Sequence, residues 1–253
     1  MLWIAALVVL AMLGFAALLR WGMFYGSTSE ERALRLPGDD YFDGGPHTRV
    51  VMTRAISIHA PVESVWPWVG QLGRGAGWCS VDWLDNGRKE SAWHIVSWIP
   101  EPRPGDATAI GYLREIDDGR SVTWWLGDAN FIGSKARLVT CYCLFDGGQG
   151  TRLISRIAAD AAGPTAGIAL FVLRVIDSIM ACRQLIGLRQ RVEYAQRSDA
   201  SPKIPETGAR DQYQLYEIRY ADGEAAGVAG KEGAARSRQA AIRDGVLDED
   251  QAG

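Results

Sequence analysis

The sequence predicts an α+β domain, an antiparallel sheet with one long helix laid against it, preceded by a single N-terminal helix able to span a membrane. Three observations carry this. An unbroken run of apolar and small residues extends from Leu2 to Leu19 and stops at Arg20. Strand-like segments between Arg49 and Ala158 are separated by turn signals such as Asp117-Asp118-Gly119 and Asp146-Gly147-Gly148, which is the spacing of an antiparallel meander. A stretch of helical period then runs from Thr165 to about Arg197, after a break at Gly163-Pro164.

The composition sets bounds on function. The chain has 253 residues, 47% hydrophobic and 23% charged, which suits one globular domain with extensions. The net charge is -3, and no Lys/Arg cluster is present, so no nucleic-acid partner is expected. Cys79, Cys141, Cys143 and Cys182 form no CxxC and no Cys/His quartet. Buried free thiols are therefore expected, with no metal site. Gly73, Gly75 and Gly77 lack the GK[ST] of a phosphate-binding loop, no nucleotide fingerprint appears, and no cofactor is expected.

The first element is the apolar run. About 18 residues at about 1.5 Å each span roughly 27 Å, enough for the hydrocarbon core of a bilayer. Trp21, Phe24 and Tyr25 follow as an interfacial aromatic cluster. A cleaved signal peptide would need a basic segment before the run, and Met1 is followed directly by Leu2. Arg20, Arg32 and Arg35 all follow the run and none precedes it. The chain is thus expected to be a single-pass membrane protein with its main domain in the cytoplasm.

Ser27 to Gly45 is turn-rich and reads as a linker. Arg49 to His59 alternates, with Met52, Ile56 and Ile58 on one side, and predicts a strand. Val62, Val65, Trp66 and Val69 then fall on a helical stripe, with Pro67 expected to kink or split that helix. Gly111 to Ile116, Ser121 to Leu126, Arg137 to Phe145 and Thr151 to Ala158 are the remaining strands. On the long helix, Arg174 and Asp177 are three apart and are expected to pair on its exposed face. Beyond it, Tyr213 to Tyr220 reads as a short strand, and Gly223 to Gly253 as a marginal helix or disordered tail. The expected division is an anchor at 1–25, a linker at 26–48, a folded domain at 49–197, and a partly disordered extension at 198–253.

Several motifs resemble one superfamily. The segment Ile58-His59-Ala60-Pro61-Val62-Glu63-Ser64-Val65-Trp66 is similar to the opening of START-like (SRPBCC, polyketide-cyclase-like) domains, a strand ending in x-A-P before E-x-V-W. Gly77 to Asn86, Ser91-Ala92 through Pro104-Gly105-Asp106, and Thr151-Arg152-Leu153-Ile154-Ser155-Arg156 resemble further motifs of a bacterial, membrane-anchored branch. The chain departs from that branch at Trp93-His94. The resemblance covers roughly Val50 to Arg197. It implies a helix-grip fold, a sheet wrapped on the C-terminal helix around a deep cavity for a lipid, polyketide or other hydrophobic small molecule.

With that cavity expected, Trp78, Trp83, Trp93, Trp98 and Trp124, together with Tyr112 and Tyr142, are candidates to line it, since aromatic rings combine apolar area with an orienting polar atom. Trp124 and Trp125 are adjacent on a strand and must face opposite sides. Arg156, four residues from Arg152 on one strand face, is a candidate for an anionic head group. His94 with Asp82 or Asp85 is the candidate acid/base constellation, although Asp-Trp-Leu-Asp-Asn is more often a capped turn. Three functions stay open on these residues: a membrane-tethered binder or carrier of a hydrophobic molecule, a cyclase- or hydrolase-like enzyme, and a non-catalytic scaffold with a closed interior. Nothing in the sequence indicates the oligomeric state.

Overall fold

The computed structural model describes residues 2–42, 48–108, 111–197 and 228–248. Six strands form one sheet: β1 (Thr48–Ile58), β2 (Ala107–Thr108), β3 (Gly111–Asp117), β4 (Ser121–Phe131), β5 (Ser134–Asp146) and β6 (Thr151–Ala162). Their spatial order is β1-β6-β5-β4-β3-β2, and every pairing is antiparallel. The helices are α1 (Leu2–Met23), α2 (Ser29–Ala33), α3 (Val62–Gln71), α4 (Asp82–Asp85), α5 (Ala166–Arg197) and α6 (Val228–Arg243). The architecture is α+β, with the sheet wrapped on the long helix α5 and one apolar helix at the N-terminus.

Alternation along the strands sorts the side chains into two layers. On the inner face Ile56, Ile58, Leu113, Val122, Trp124, Tyr142, Leu144 and Leu153 meet Leu185, Leu188 and Val192 of α5 and Val65, Trp68 and Val69 of α3. Nearer the start of α5, Val50, Met52, Ile157, Ala159 and Ala161 meet Ala166 and Leu170. The outer face is covered too. Leu36 packs on Ala55, Cys141, Cys143 and Ile154. Phe42 and Tyr41 join Tyr112, Trp125, Val139 and Ala241. All four cysteines are free and buried.

Three features differ from the sequence expectation. The stretch read as a linker is folded onto the outer face. Thr28 and Glu31 close a capping box on α2, and Arg152 and Arg156 bind that segment to the sheet. Second, α3 continues through Pro67 as one helix. Pro67 removes one hydrogen bond, to the Glu63 carbonyl, and the packing of Val65, Trp68 and Val69 in the core holds the helix across that gap. Third, β4 and β5 run past their expected ends and join through Ile132 (φ 51°) and Gly133 (φ 72°), a type I′ hairpin turn. Isoleucine in a left-handed conformation gives no sequence signal for such a turn.

The Ala/Gly/charge-rich tail contains α6, whose end docks on the outer face with Ala241 fully buried. Tyr112 Oη donates to Asp244 Oδ2 at 2.7 Å beside it. The strand expected over Tyr213 to Tyr220 lies outside the described residues. α1 is long and apolar enough to cross a membrane, and none of its apolar window is buried in the protein.

Candidate functional site: a polar layer between the sheet and α5

Arg54 shares the inward parity of Met52, Ile56 and Ile58, so β1 drives a guanidinium into the interior, where it has no exposed surface. Its Nε donates to the Gly22 carbonyl at the end of α1 at 2.6 Å. Its Nη2 lies 2.8 Å from Asp177 Oδ2 on α5. The register sets Arg54 opposite Ser155, and Ser155 opposite Tyr142. Tyr142 Oη donates to Gln184 Oε1 on α5 at 2.7 Å. A polar row thus crosses three strands and meets Asp177 and Gln184 of the helix, with Ser178 next to Asp177 and against Gly22 of α1, and one apolar cluster on either side.

Several atoms of this layer are fully buried and make no hydrogen bond among the described residues. They are Arg54 Nη1, Ser155 Oγ and Ser178 Oγ, with Trp124 Nε1 one row along. Each such group costs about 1–3 kcal/mol when nothing satisfies it. A few isolated cases are ordinary in a folded chain, whereas a cluster in one layer calls for a physical reason. Burial raises the Asp177 carboxyl above its usual range, opposed by the Arg54 cation. Burial also raises the Tyr142 phenol, and the neighbouring Asp177 adds to the shift. The layer can therefore receive a polar or anionic end through Arg54 and the two hydroxyls. It holds no activated nucleophile: Cys182 hydrogen-bonds the Gly22 carbonyl, and burial raises its thiol.

The expected pairing of Arg174 with Asp177 on an exposed face is corrected by this geometry. Asp177 points inward to Arg54, because one turn of α5 must meet the charge that β1 buries.

The aromatic candidates divide. Trp124 and Tyr142 are inside, and Trp78 packs edge-on to Trp124 with centroids 5.9 Å apart. Trp98 is half-buried with Ala76, Ala92 and Val96. Trp93 stacks edge-on to Tyr194 at the surface, with Arg191 over its ring. Trp83 is exposed. Tyr112 and Arg156 face outward. Arg156 donates to Thr53 Oγ1, Asp39 Oδ2 and the carbonyls of Glu31, Arg32 and Leu34, so it is a structural clamp and no head-group ligand. Both carboxylate oxygens of Asp82 accept from Ser91, whose Oγ also accepts from the Cys79 amide. Asp82 thus ties a turn, and the His94 carbonyl accepts from Gln71. Burial raises the Asp85 carboxyl.

Two depressions lie on the surface. One lies around His59, Trp93, Glu193 and Tyr194, and the other around Glu31, Phe145 and Arg152. His59 Nδ1 sits 2.9 Å from Glu193 Oε1 in the first of them.

No family model matches the chain, and no curated protein sequence matches it. Solved structures resemble part of the chain at low similarity. An uncharacterized protein from Rhizobium leguminosarum is 11% identical, with a TM-score of 0.37, over 58% of this chain and 97% of its own. A conserved protein from Geobacillus kaustophilus is 12% identical, with a TM-score of 0.38, over 58% and 97%. DynU16, a protein of the dynemicin biosynthetic locus, is 17% identical, with a TM-score of 0.30, over 60% of this chain and 47% of its own. Likenesses of this size carry no family assignment, and function rests on the chain's own residues.

Proposed function

We propose that the chain is a membrane-tethered binder of a hydrophobic small molecule, held between the sheet and α5 with its polar end at Arg54, Ser155 and Ser178. The observation that carries this reading is the cluster of fully buried, unpartnered polar atoms in that layer. A ligand oxygen there would satisfy several of them together, and the apolar clusters on both sides would take its hydrocarbon part. The tether is α1. Its end is built into the domain: the Gly22 carbonyl accepts from Arg54, and the Tyr25 carbonyl accepts from the Ala55 amide of edge strand β1. A removable leader would take these bonds with it.

Native mass spectrometry of the full-length chain, with organic extraction of bound material, tests the reading. A stoichiometric hydrophobic adduct is expected, and it should be depleted in the S155A/S178A variant. The same variant should be more stable without ligand, because it removes two hydroxyls at about 1–3 kcal/mol each. A clean mass that added fatty acids and phospholipids also fail to shift would overturn the proposal. The second reading would then stand, a scaffold with a closed interior. It is favoured by the dense packing of Trp124, Tyr142, Leu185 and Leu188, all buried in one cluster.

A further inference from the structure

α1 and α5 lie side by side and run in the same direction. Phe15 meets Phe171 with ring centroids 6.3 Å apart. Gly22, seven residues on, approaches Ser178, seven residues on; a Cβ at Gly22 would lie 2.7 Å from Ser178 Cβ. α1 therefore acts as a depth gauge for α5. Phe15 lies four residues inside Leu19, the end of the apolar run, which is about 6 Å below the hydrocarbon boundary. Phe171 shares that level, and Ile168, three residues earlier on α5, lies about 10 Å below the boundary by the same rise.

We infer that the first two turns of α5 are embedded in the bilayer leaflet that α1 leaves, with lipid acyl chains packed against Ile168 and Phe171. The surface of α5 itself follows this depth scale. Ile168 is 60% exposed and Phe171 46% exposed to whatever surrounds the protein. No charged residue occurs from Gly163 to Leu173. The first is Arg174, level with Leu18, where a long cationic side chain reaches the head groups while its stem stays in hydrocarbon.

Above the boundary, the Ser80 hydroxyl donates to the Met180 carbonyl at 2.9 Å. This sets the loop that carries the exposed Trp83 and Leu84 beside α5 at the level just past Trp21. Trp21 and Trp83 then occupy the zone where bilayers favour indole rings. In water, the same outward stripe of Ile168, Phe171, Ile176 and Ile179 would be an apolar patch without cover.

The inference rests on the anchor reading of α1 and deepens the proposed function. It places the Val50, Ala161 and Ala166 end of the interior at the acyl chains, so the ligand class narrows to amphiphiles that partition into bilayers. The test uses the full chain in phosphatidylcholine–phosphatidylglycerol vesicles. An environment-sensitive fluorophore is attached to a cysteine introduced as Ile168→Cys, Leu7→Cys or Asp118→Cys, the native thiols being buried. Ile168 is mostly outside the core, so the substitution leaves the packing intact. A nitroxide on the lipid acyl chain should quench the Ile168→Cys and Leu7→Cys labels several-fold more than the Asp118→Cys label. Quenching of Leu7→Cys alone would leave the anchor in place and overturn the inference. Quenching of neither would remove the anchor, and the inference with it. None of these readings depends on a bound ligand, so the outcome is separable from the mass measurement.

Discussion

Arg54 is stable without exposed surface only because the Gly22 carbonyl and the Asp177 carboxylate take up its donors. Breaking such a pair strands a buried charge, at about 3–5 kcal/mol, whereas replacing both partners by apolar side chains of similar volume is often neutral. R54M and D177L should therefore each be strongly destabilising, and R54M/D177L should recover most of the loss. Urea denaturation of the detergent-solubilised chain measures this; a double variant as unstable as either single one would contradict the pairing. The pH dependence has a definite sign. The Asp177 carboxyl is raised above the ordinary value of 3.8 by burial. Its contribution is fully present below that value and is lost as pH rises through the raised folded one. Acid unfolding must therefore begin elsewhere.

At the scale of elements, it should begin at the strap formed by α2 and residues 34–42. Glu31 is held below its ordinary value of 4.5, chiefly by its hydrogen bonds from Arg152, at 2.7 and 2.9 Å. A lowered carboxyl contributes stability above its unfolded value and loses it as pH falls through the folded one. Amide hydrogen exchange across residues 27–42, corrected for the intrinsic rate, should accelerate on acidification below about 4.5 while β5 and β6 stay protected. Uniform acceleration would show that the strap is no separate unit. R156A should open the same segment at neutral pH, because it leaves three backbone carbonyls without this donor and Asp39 without its cation, a loss of about 3–5 kcal/mol for a buried charge partner. The strap was partly legible in the sequence. Thr28-Ser29-Glu30-Glu31 is a capping-box pattern, but Leu36 and Phe42 are single apolar residues among prolines, glycines and aspartates, with no period to reveal that they are buried. The strands and α5 were legible because alternation and helical period extend over many residues. The site was not, because a charged residue in an alternating strand reads as solvent-facing. Parity held the missed signal: Arg54 falls in step with Met52, Ile56 and Ile58.

At the scale of the whole molecule, the end of α1 is bonded into the domain, and the two should fold as one unit. A chain that begins at Trp21 keeps the Gly22 and Tyr25 carbonyls, and one that begins at Ser29 loses both. The first should melt close to the full-length protein in detergent and the second several degrees lower, since each lost bond strands a buried donor at about 1–3 kcal/mol. Equal melting temperatures would show α1 to be a detachable tail.

The pairing of β1 with β6 also sets an order of events in time. The strands are in register from Thr48↔Ala161 to Ile58↔Thr151, so the first strand made waits for the last. Meanwhile, on the anchor reading proposed above, α1 has already left the ribosome and entered the bilayer. During synthesis, Arg54 stands without Asp177, and β1 stands as an open edge, through roughly a hundred residues of chain growth, the long sequence separation that slows folding. The nascent domain therefore matures at the membrane surface, and that interval is when it is most exposed to mispairing with a neighbouring chain.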